Sequence, residues 1–259
     1  AYRHGFRQEY NVNISGGDSK ISYYSSIGYL KEKGVLENSG YERFTARLKA
    51  DYQATDWLHL LANASYVHAD RESNPNLSNT NSNASNLGYF TQYISPIYPI
   101  YVRTIDANGN PVIATDRFGH PQYDFGVPAT NFQGLNGRPF SQTGNPLGSN
   151  RYNKVNDILD QLQGQLNFDV TFTPWLKFNS TNSITLILSR FSHYENPFIG
   201  NAAATNGSID KYTDVSYRWN YVQTLNAHKV FGLHDVQLMV GHEWYKINKN
   251  FLEALARGG

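Results

Sequence analysis

Residues 161–172 read QLQGQLNFDVTF. Leu162, Gly164, Leu166, Phe168, Val170 and Phe172 alternate with Gln161, Gln163, Gln165, Asn167, Asp169 and Thr171. A strand sends successive side chains to opposite faces, whereas a helix groups residues three and four apart. Period two held over this length therefore reads as a strand with one apolar and one polar face. Residues 43–53 repeat the pattern, with Phe44, Ala46, Leu48, Ala50 and Tyr52 set against Arg43, Thr45, Arg47, Lys49, Asp51 and Gln53. Residues 6–15 follow with Phe6, Gln8, Tyr10, Val12 and Ile14 on one face. Residues 21–32, 58–69, 176–189, 216–228 and 235–247 carry it less cleanly. The expected fold class is all-β, an antiparallel meander of about eight long strands.

Strand length and loop spacing narrow the class. Globular strands commonly run about 5–6 residues. About eleven residues at ~3.3 Å rise, tilted ~45°, span roughly 25 Å, the height of the apolar band on a membrane barrel. Short turns fall at residues 16–20, 54–57, 173–175 and 229–233. Longer connections fall at 34–40, 71–156 and 191–215. Membrane barrels gather short turns at one end and long loops at the other. A soluble sandwich also alternates in and out, but nothing obliges it to sort its loops by length.

The exceptions on the apolar face follow the same gradient. Lys31, His68, Asp160, Arg190, His242 and Lys246 fall on that register, and each is expected near the long-loop end of its strand. A charge facing lipid costs about 2–4 kcal/mol at the bilayer centre and ~0–1 near an interface. Trp57 and Trp175 sit at short turns and Trp219 and Trp244 nearer the long loops, which reads as two interfacial girdles.

Composition excludes several classes. The chain has 259 residues, a formal net charge of +1 and no Cys. That leaves no disulfide framework or thiolate metal site and argues against binding nucleic acid through phosphate contacts. No apolar run approaches the 18 or so residues of a membrane helix. Charged residues are 17% against a norm of about 25%, so a strongly charged disordered chain is also excluded.

The insert at 71–156 differs from the strands. Residues 74–86 (NPNLSNTNSNASN) form a polar low-complexity stretch, and 87–94 could make a short helix or packed turn. Seven prolines, from Pro96 to Pro146, exclude long regular elements. Its aromatics Tyr89, Phe90, Tyr93, Tyr98, Tyr101, Phe118, Tyr123 and Phe125 are candidate ligand contacts, since aromatic faces stack on apolar patches of a ligand. Packing of the loop onto itself serves them equally well. Candidate lumen-facing groups are Arg43, Arg47, Lys49, Asp51, Gln163 and Asp169. Catalytic motifs are lacking: the histidines show no HExxH spacing and no Ser sits in a nucleophile elbow. Asp106-Ala107-Asn108-Gly109-Asn110 imitates the start of a calcium loop. Pro111 and Arg117 stand where that loop needs Gly and Glu, so a plain Asn-Gly turn is expected. No enzyme activity, metal or cofactor is expected.

Residues 10–67 read YNVNISGGDSKISYYSSIGYLKEKGVLENSGYERFTARLKADYQATDWLHLLANASYV. The Ser-Gly-Gly turn, the Tyr-Tyr-x-Ser strand, Gly-Tyr-Leu before a Gly-Val loop, Asn-Ser-x-Tyr-x-Arg and Thr-Asp-Trp-Leu resemble the barrel of SusC-type (SusC/RagA-like) TonB-dependent outer-membrane transporters. Asn145-Pro146-Leu147, Thr173-Pro174-Trp175-Leu176 and the 234–244 strand echo the same barrels. The resemblance implies a transmembrane β-barrel in the outer membrane of a Gram-negative cell, importing glycans, oligosaccharides or similar large nutrients such as peptides. It also implies a SusD-like surface lipoprotein, the TonB complex acting through a plug, and outer-membrane lipid as partners, with no nucleic acid. Such barrels have about 22 strands around a plug. Residues 1–259 match a partial barrel only, with 71–156 as a long extracellular loop and the plug domain absent. Contact with a plug is then a second reading for the lumen-facing groups. The rival readings are a soluble all-β carbohydrate-binding module and a non-functional truncated transporter fragment.

Overall fold

A computed structural model describes residues 2–73, 99–115, 119–125, 145–197, 202 and 205–258. In chain order the elements are β1 (Phe6–Gly17), β2 (Ile21–Lys33), β3 (Gly40–Thr55), β4 (Leu58–Ser73), β5 (Arg103–Ile105), β6 (Pro111–Ile113), α1 (Pro146–Tyr152), β7 (Lys154–Thr173), β8 (Leu176–Glu195), β9 (Ser208–Phe231) and β10 (His234–Arg257). Eight strands form one antiparallel sheet in the order β1-β2-β3-β4-β7-β8-β9-β10, and β5 pairs with β6 apart from it. Sequence neighbours are spatial neighbours throughout, as the meander reading requires. All four tight turns therefore lie at one end, and the three longer connections at the other.

The turns are built from local chemistry. Asp18 Oδ1 accepts the Lys20 and Ile21 amides at 2.7 and 3.0 Å, closing β1 onto β2. Thr55-Asp56-Trp57-Leu58 and Thr173-Pro174-Trp175-Leu176 are equivalent turns, each preceded by a one-residue slip in register. Such bulges raise the local twist. The Trp57 carbonyl accepts the Thr171 amide and the Trp175 carbonyl accepts the His228 amide, both at 2.8 Å, so each hairpin end is tied to the next.

The hairpins are staggered. Ile21 pairs with Tyr52, Leu58 with Val170 and Leu176 with Ala227, so each new turn extends three or four residues past the one before. A stagger of roughly 1.5–2 residues per strand, at ~3.3 Å rise and ~4.8 Å spacing, tilts the strands by about 45–55°. That is close to the tilt of a barrel wall.

Register assigns the two faces. Leu48, Ala64, Gly164, Ile184, Trp219 and Lys246 form one row, and Arg47, Ser65, Gln163, Thr185 and Arg218 form the row behind it on the opposite face. The apolar face is uncovered: Val12 is 72% exposed, Leu238 63% and Leu48 60%. Among the described residues the buried apolar side chains are Leu30, Ala69, Phe125 and Ala202. A soluble sandwich would bury one face of this sheet under a second one about 10 Å away.

Height along the strands sorts the interfacial residues. Trp57 and Trp175 lie at the turns, whereas Lys31, His68, Asp160, Arg190, Trp219, Trp244 and Lys246 stand ten to fourteen residues above theirs. At ~3.3 Å rise and a ~45° tilt, that places them roughly 23–33 Å away, one apolar band apart. Lys31, His68, Asp160 and Arg190 at this upper level are paired. Lys31 Nζ donates to Glu42 Oε2 at 2.9 Å and the Tyr29 hydroxyl to Oε1 at 2.8 Å. Asp160 accepts from Arg190 at 2.6 Å and from the Tyr66 hydroxyl at 2.8 Å, with His68 Nδ1 at 2.7 Å.

Two expectations need correction. The strands are longer than their alternation: β7 begins at Lys154, β9 at Ser208, and β10 ends at Arg257. Beyond the apolar band neither face has to stay apolar, so the period-two signal fades while the ladder hydrogen bonds continue. As a result His242 and Lys246 stand eight and twelve residues into a 24-residue strand and are not near its far end. His242 Nδ1 lies 3.2 Å from Gln223 Oε1 on the same register, which gives that mid-strand polar group a partner.

Candidate functional site

The polar face is the candidate site. Strand alternation brings Arg43, Arg47, Lys49, Asp51, Gln163 and Asp169 to it, as the sequence suggests. Arg47, Lys49 and Gln163 line one open groove of about 440 Å³ together with Tyr24, Asn63, Ser65 and Gln165. Arg43 lies higher, 4.0 Å from Glu9, whose carboxylate also accepts from Arg7 at 2.9 Å.

Toward the turns a polar network crosses five strands. His59 Nε2 lies 2.8 Å from Asp51 Oδ1, and its Nδ1 lies 3.1 Å from Asp169 Oδ2. Asn179 donates to Asp169 Oδ1 at 2.7 Å, and Asn226 donates to Asn179 at 2.9 Å. Asp51 and Asp169 are separate candidates in the sequence; His59 joins them. Its signal lies in the register, since His59 pairs with Gln53 on one side and Asp169 on the other. Among the described residues no group of three His, Cys, Asp or Glu side chains is disposed to hold a metal ion.

Of the loop aromatics, Tyr101, Tyr123 and Phe125 fall in described segments; Tyr89, Phe90, Tyr93, Tyr98 and Phe118 lie outside them. The Tyr101 and Tyr123 rings are 4.9 Å apart, and Tyr123 meets Tyr152 of α1 edge-on at 5.8 Å. Phe125 is 8% exposed. These three rings therefore form a platform beneath α1. The helix starts at Asn145, whose side chain accepts the Gly148 amide, with Pro146 in the first turn. Asn before Pro is a helix-start signal legible in the sequence. Asn145 Nδ2 also donates to the Ile100 and Asp124 carbonyls, both at 2.9 Å. Asn150, 1% exposed, donates to the Glu37 carbonyl at 2.8 Å, and Asn38 donates back to the Asn150 carbonyl. The insert is thereby fastened over the β2–β3 loop.

The imitation calcium loop is the expected turn. Asp106 Oδ1 accepts the Asn108 and Asn110 amides at 2.9 and 2.8 Å, and Gly109 takes φ +85°. The Asn110 amide, with that of Asn108, holds the Asp106 carboxyl below its usual range.

Gly148 gives a direct test of the platform. A Cβ there would meet Phe125 Cζ at 2.7 Å and Tyr123 Cβ at 2.9 Å. Overpacking of this kind costs about 1–3 kcal/mol. Gly148→Ala is expected to speed protease cleavage within the insert about tenfold while the sheet stays protected; unchanged cleavage would contradict the packing.

No family model matches the chain. Two curated relatives from Formosa agariphila align with short stretches: TonB-dependent receptor P39, 37% identical over 54 residues, and TonB-dependent receptor P26, 29% identical over 62. These alignments cover 21% and 24% of this chain but only 5% and 6% of those proteins. Among solved structures, the RagAB peptide transporter superposes over 97% of this chain with a TM-score of 0.65 at 18% identity. The RagAB peptide importer in its open-open state superposes over 96% with 0.64 at 16%. The chain spans about a quarter of those solved chains. The likeness in fold and the aligned stretches bear out the resemblance to the SusC-type TonB-dependent barrels and an outer-membrane location.

Proposed function

We propose that this chain forms part of the barrel wall of an outer-membrane TonB-dependent active transporter that imports glycans, peptides or similar large nutrients. The observation that carries the reading is the staggered eight-strand meander, apolar and uncovered outside, polar within. The long-loop end faces the exterior, as barrels of this kind place it, and the described parts of the insert, residues 99–115, 119–125 and 145–152, lie over the mouth. A SusD-like lipoprotein caps that end, and the TonB complex supplies energy through a plug. Arg43, Arg47, Lys49, Asp51, Gln163 and Asp169 then meet substrate or plug. Tyr101, Tyr123 and Phe125 hold the insert in place over the mouth, while Tyr89, Tyr93, Tyr98 and Phe118 stay candidates for ligand contact. No covalent chemistry is assigned. The uncovered apolar face disfavours the soluble carbohydrate-binding module.

Import assays on cells carrying the whole transporter test this. Labelled oligosaccharides and oligopeptides should enter in a saturable way, and a protonophore should abolish entry. Entry that is insensitive to the protonophore, or unaffected by deleting the gene, would overturn the proposal.

A further inference from the structure

The inward register of β9 runs Asp210, Tyr212, Asp214, Ser216, Arg218 and Asn220. Four of these side chains hold a buried oxygen without a hydrogen-bond partner among the described residues: Asp210 Oδ1, Asp214 Oδ1, Ser216 Oγ and Asn220 Oδ1. Ser216 is only 4% exposed and stands next to Asp214 on that face. Folded proteins pair the great majority of such atoms, because each one left unpaired costs about 1–3 kcal/mol. A run of them along one strand marks a stretch with more acceptors than the donors built beside it.

Beside this run the Tyr212 ring stacks on Phe191 at 4.7 Å and 15°, and tilts against Phe251 at 5.7 Å. Phe251 pairs with Asp214 in the ladder, so the three rings and the carboxylates share the inward face. Asp157, Asp210 and Asp214 lie around the Tyr212 phenol, opposed by Arg71, which is 3.8 Å from Asp157. Glu253 pairs opposite Tyr212 in the ladder, His193 opposite Asp210 and Lys249 opposite Ser216. Asp214 stands seventeen residues above the end of β9. At ~3.3 Å rise and ~45° tilt that is roughly 40 Å from the turns, beyond the apolar band and in the mouth.

We propose that the wall formed by Phe191, Tyr212, Phe251, Asp210, Asp214 and Ser216 is a subsite for a cationic group, the ammonium or guanidinium of an oligopeptide. The inference rests on the transport reading and narrows its substrate class. An aromatic face attracts a cation placed over it, and carboxylates bind cations through charge-assisted hydrogen bonds. A neutral glycan could stack on the rings and donate hydroxyls to the carboxylates but would bring no opposite charge to them.

The test uses the whole transporter, purified in detergent. The probes are a Lys/Arg-rich octapeptide, its Gln-substituted counterpart and a neutral oligosaccharide of similar size. At low salt the cationic peptide should bind at least tenfold more tightly than the other two, and the preference should shrink as salt rises. Asp210→Asn with Asp214→Asn should reduce affinity for the cationic peptide about tenfold and leave the Gln counterpart within twofold. Asp214→Glu in the Asp210-intact protein should retain the preference. Equal binding of the charged and uncharged peptides would overturn the subsite. So would a double variant that loses thermal stability without losing the preference, since the carboxylates would then face another part of the transporter. Import of all three probes without cation preference would leave transport standing and remove only the subsite. Cation-selective binding with no import would do the reverse.

Discussion

Leu166→Arg is expected to destabilise the assembled barrel by about 2–4 kcal/mol, while Gln165→Arg changes it by well under ~1 kcal/mol. The two residues are adjacent in β7 and differ in face alone. Leu166 pairs with Ala62 and Asn182 on the apolar register, seven residues above the end of the strand. At ~3.3 Å rise and ~45° tilt that is roughly 16 Å above the turns, near the middle of the apolar band, where an arginine has no water and no carboxylate to pair with. Gln165 pairs with Asn63 and Ser183 and lines the inward groove with Arg47 and Lys49. An arginine there meets other polar groups and water. Heat-modifiable migration of outer-membrane fractions on gels reports the folded share of each variant. Equal losses from both would mean that the two faces are not in different solvents.

The second large effect is a complete loss. A polypeptide of residues 1–259 by itself is expected to give no saturable nutrient uptake when reconstituted in liposomes. β1 and β10 are the edges of the described sheet, and neither has a second strand beside it. Unpaired backbone groups cost several kcal/mol each in lipid, so open edges are not tolerated there. Closure at eight strands would leave an interior wide enough for side chains alone. It would have to hold Arg7, Glu9, Arg43, Arg47, Lys49, Asp51, Asp169 and Lys177 with no space for a nutrient. Specific, saturable oligosaccharide or peptide uptake by that polypeptide would refute the open-wall description.

Much of the fold is legible in the sequence because lipid on one face and polar surroundings on the other impose a strict period of two. In residues 161–172 and 43–53 each side chain is sorted by its solvent, and the observed register keeps that sorting across the sheet. Above the apolar band the constraint lapses. The upper parts of β9 and β10, such as Asn248-Lys249-Asn250, are held by ladder bonds that carry no compositional mark. For the same reason the mouth cluster of Phe191, Tyr212 and Phe251 is invisible in one dimension. Its members come from three strands and meet only through the stagger of the hairpins. The candidate lumen residues were legible as a face but not as a network: His59 gains its meaning from pairing with Asp169, 110 residues away. In the described parts of the insert the elements are short, and Asn145-Pro146 marks a helix start that composition alone obscures.

Solvent accessibility along β7 tests the central claim most directly. The chain has no cysteine, so single Cys replacements at positions 162 to 169 can each carry a spin label in the whole transporter within a native-like bilayer. Positions 162, 164, 166 and 168 should relax strongly with oxygen dissolved in lipid, and 163, 165, 167 and 169 with a water-soluble nickel complex, in strict alternation. Water accessibility at all eight positions, or alternation with the opposite phase, would contradict the assignment of this sheet as a barrel wall with its apolar face in the membrane.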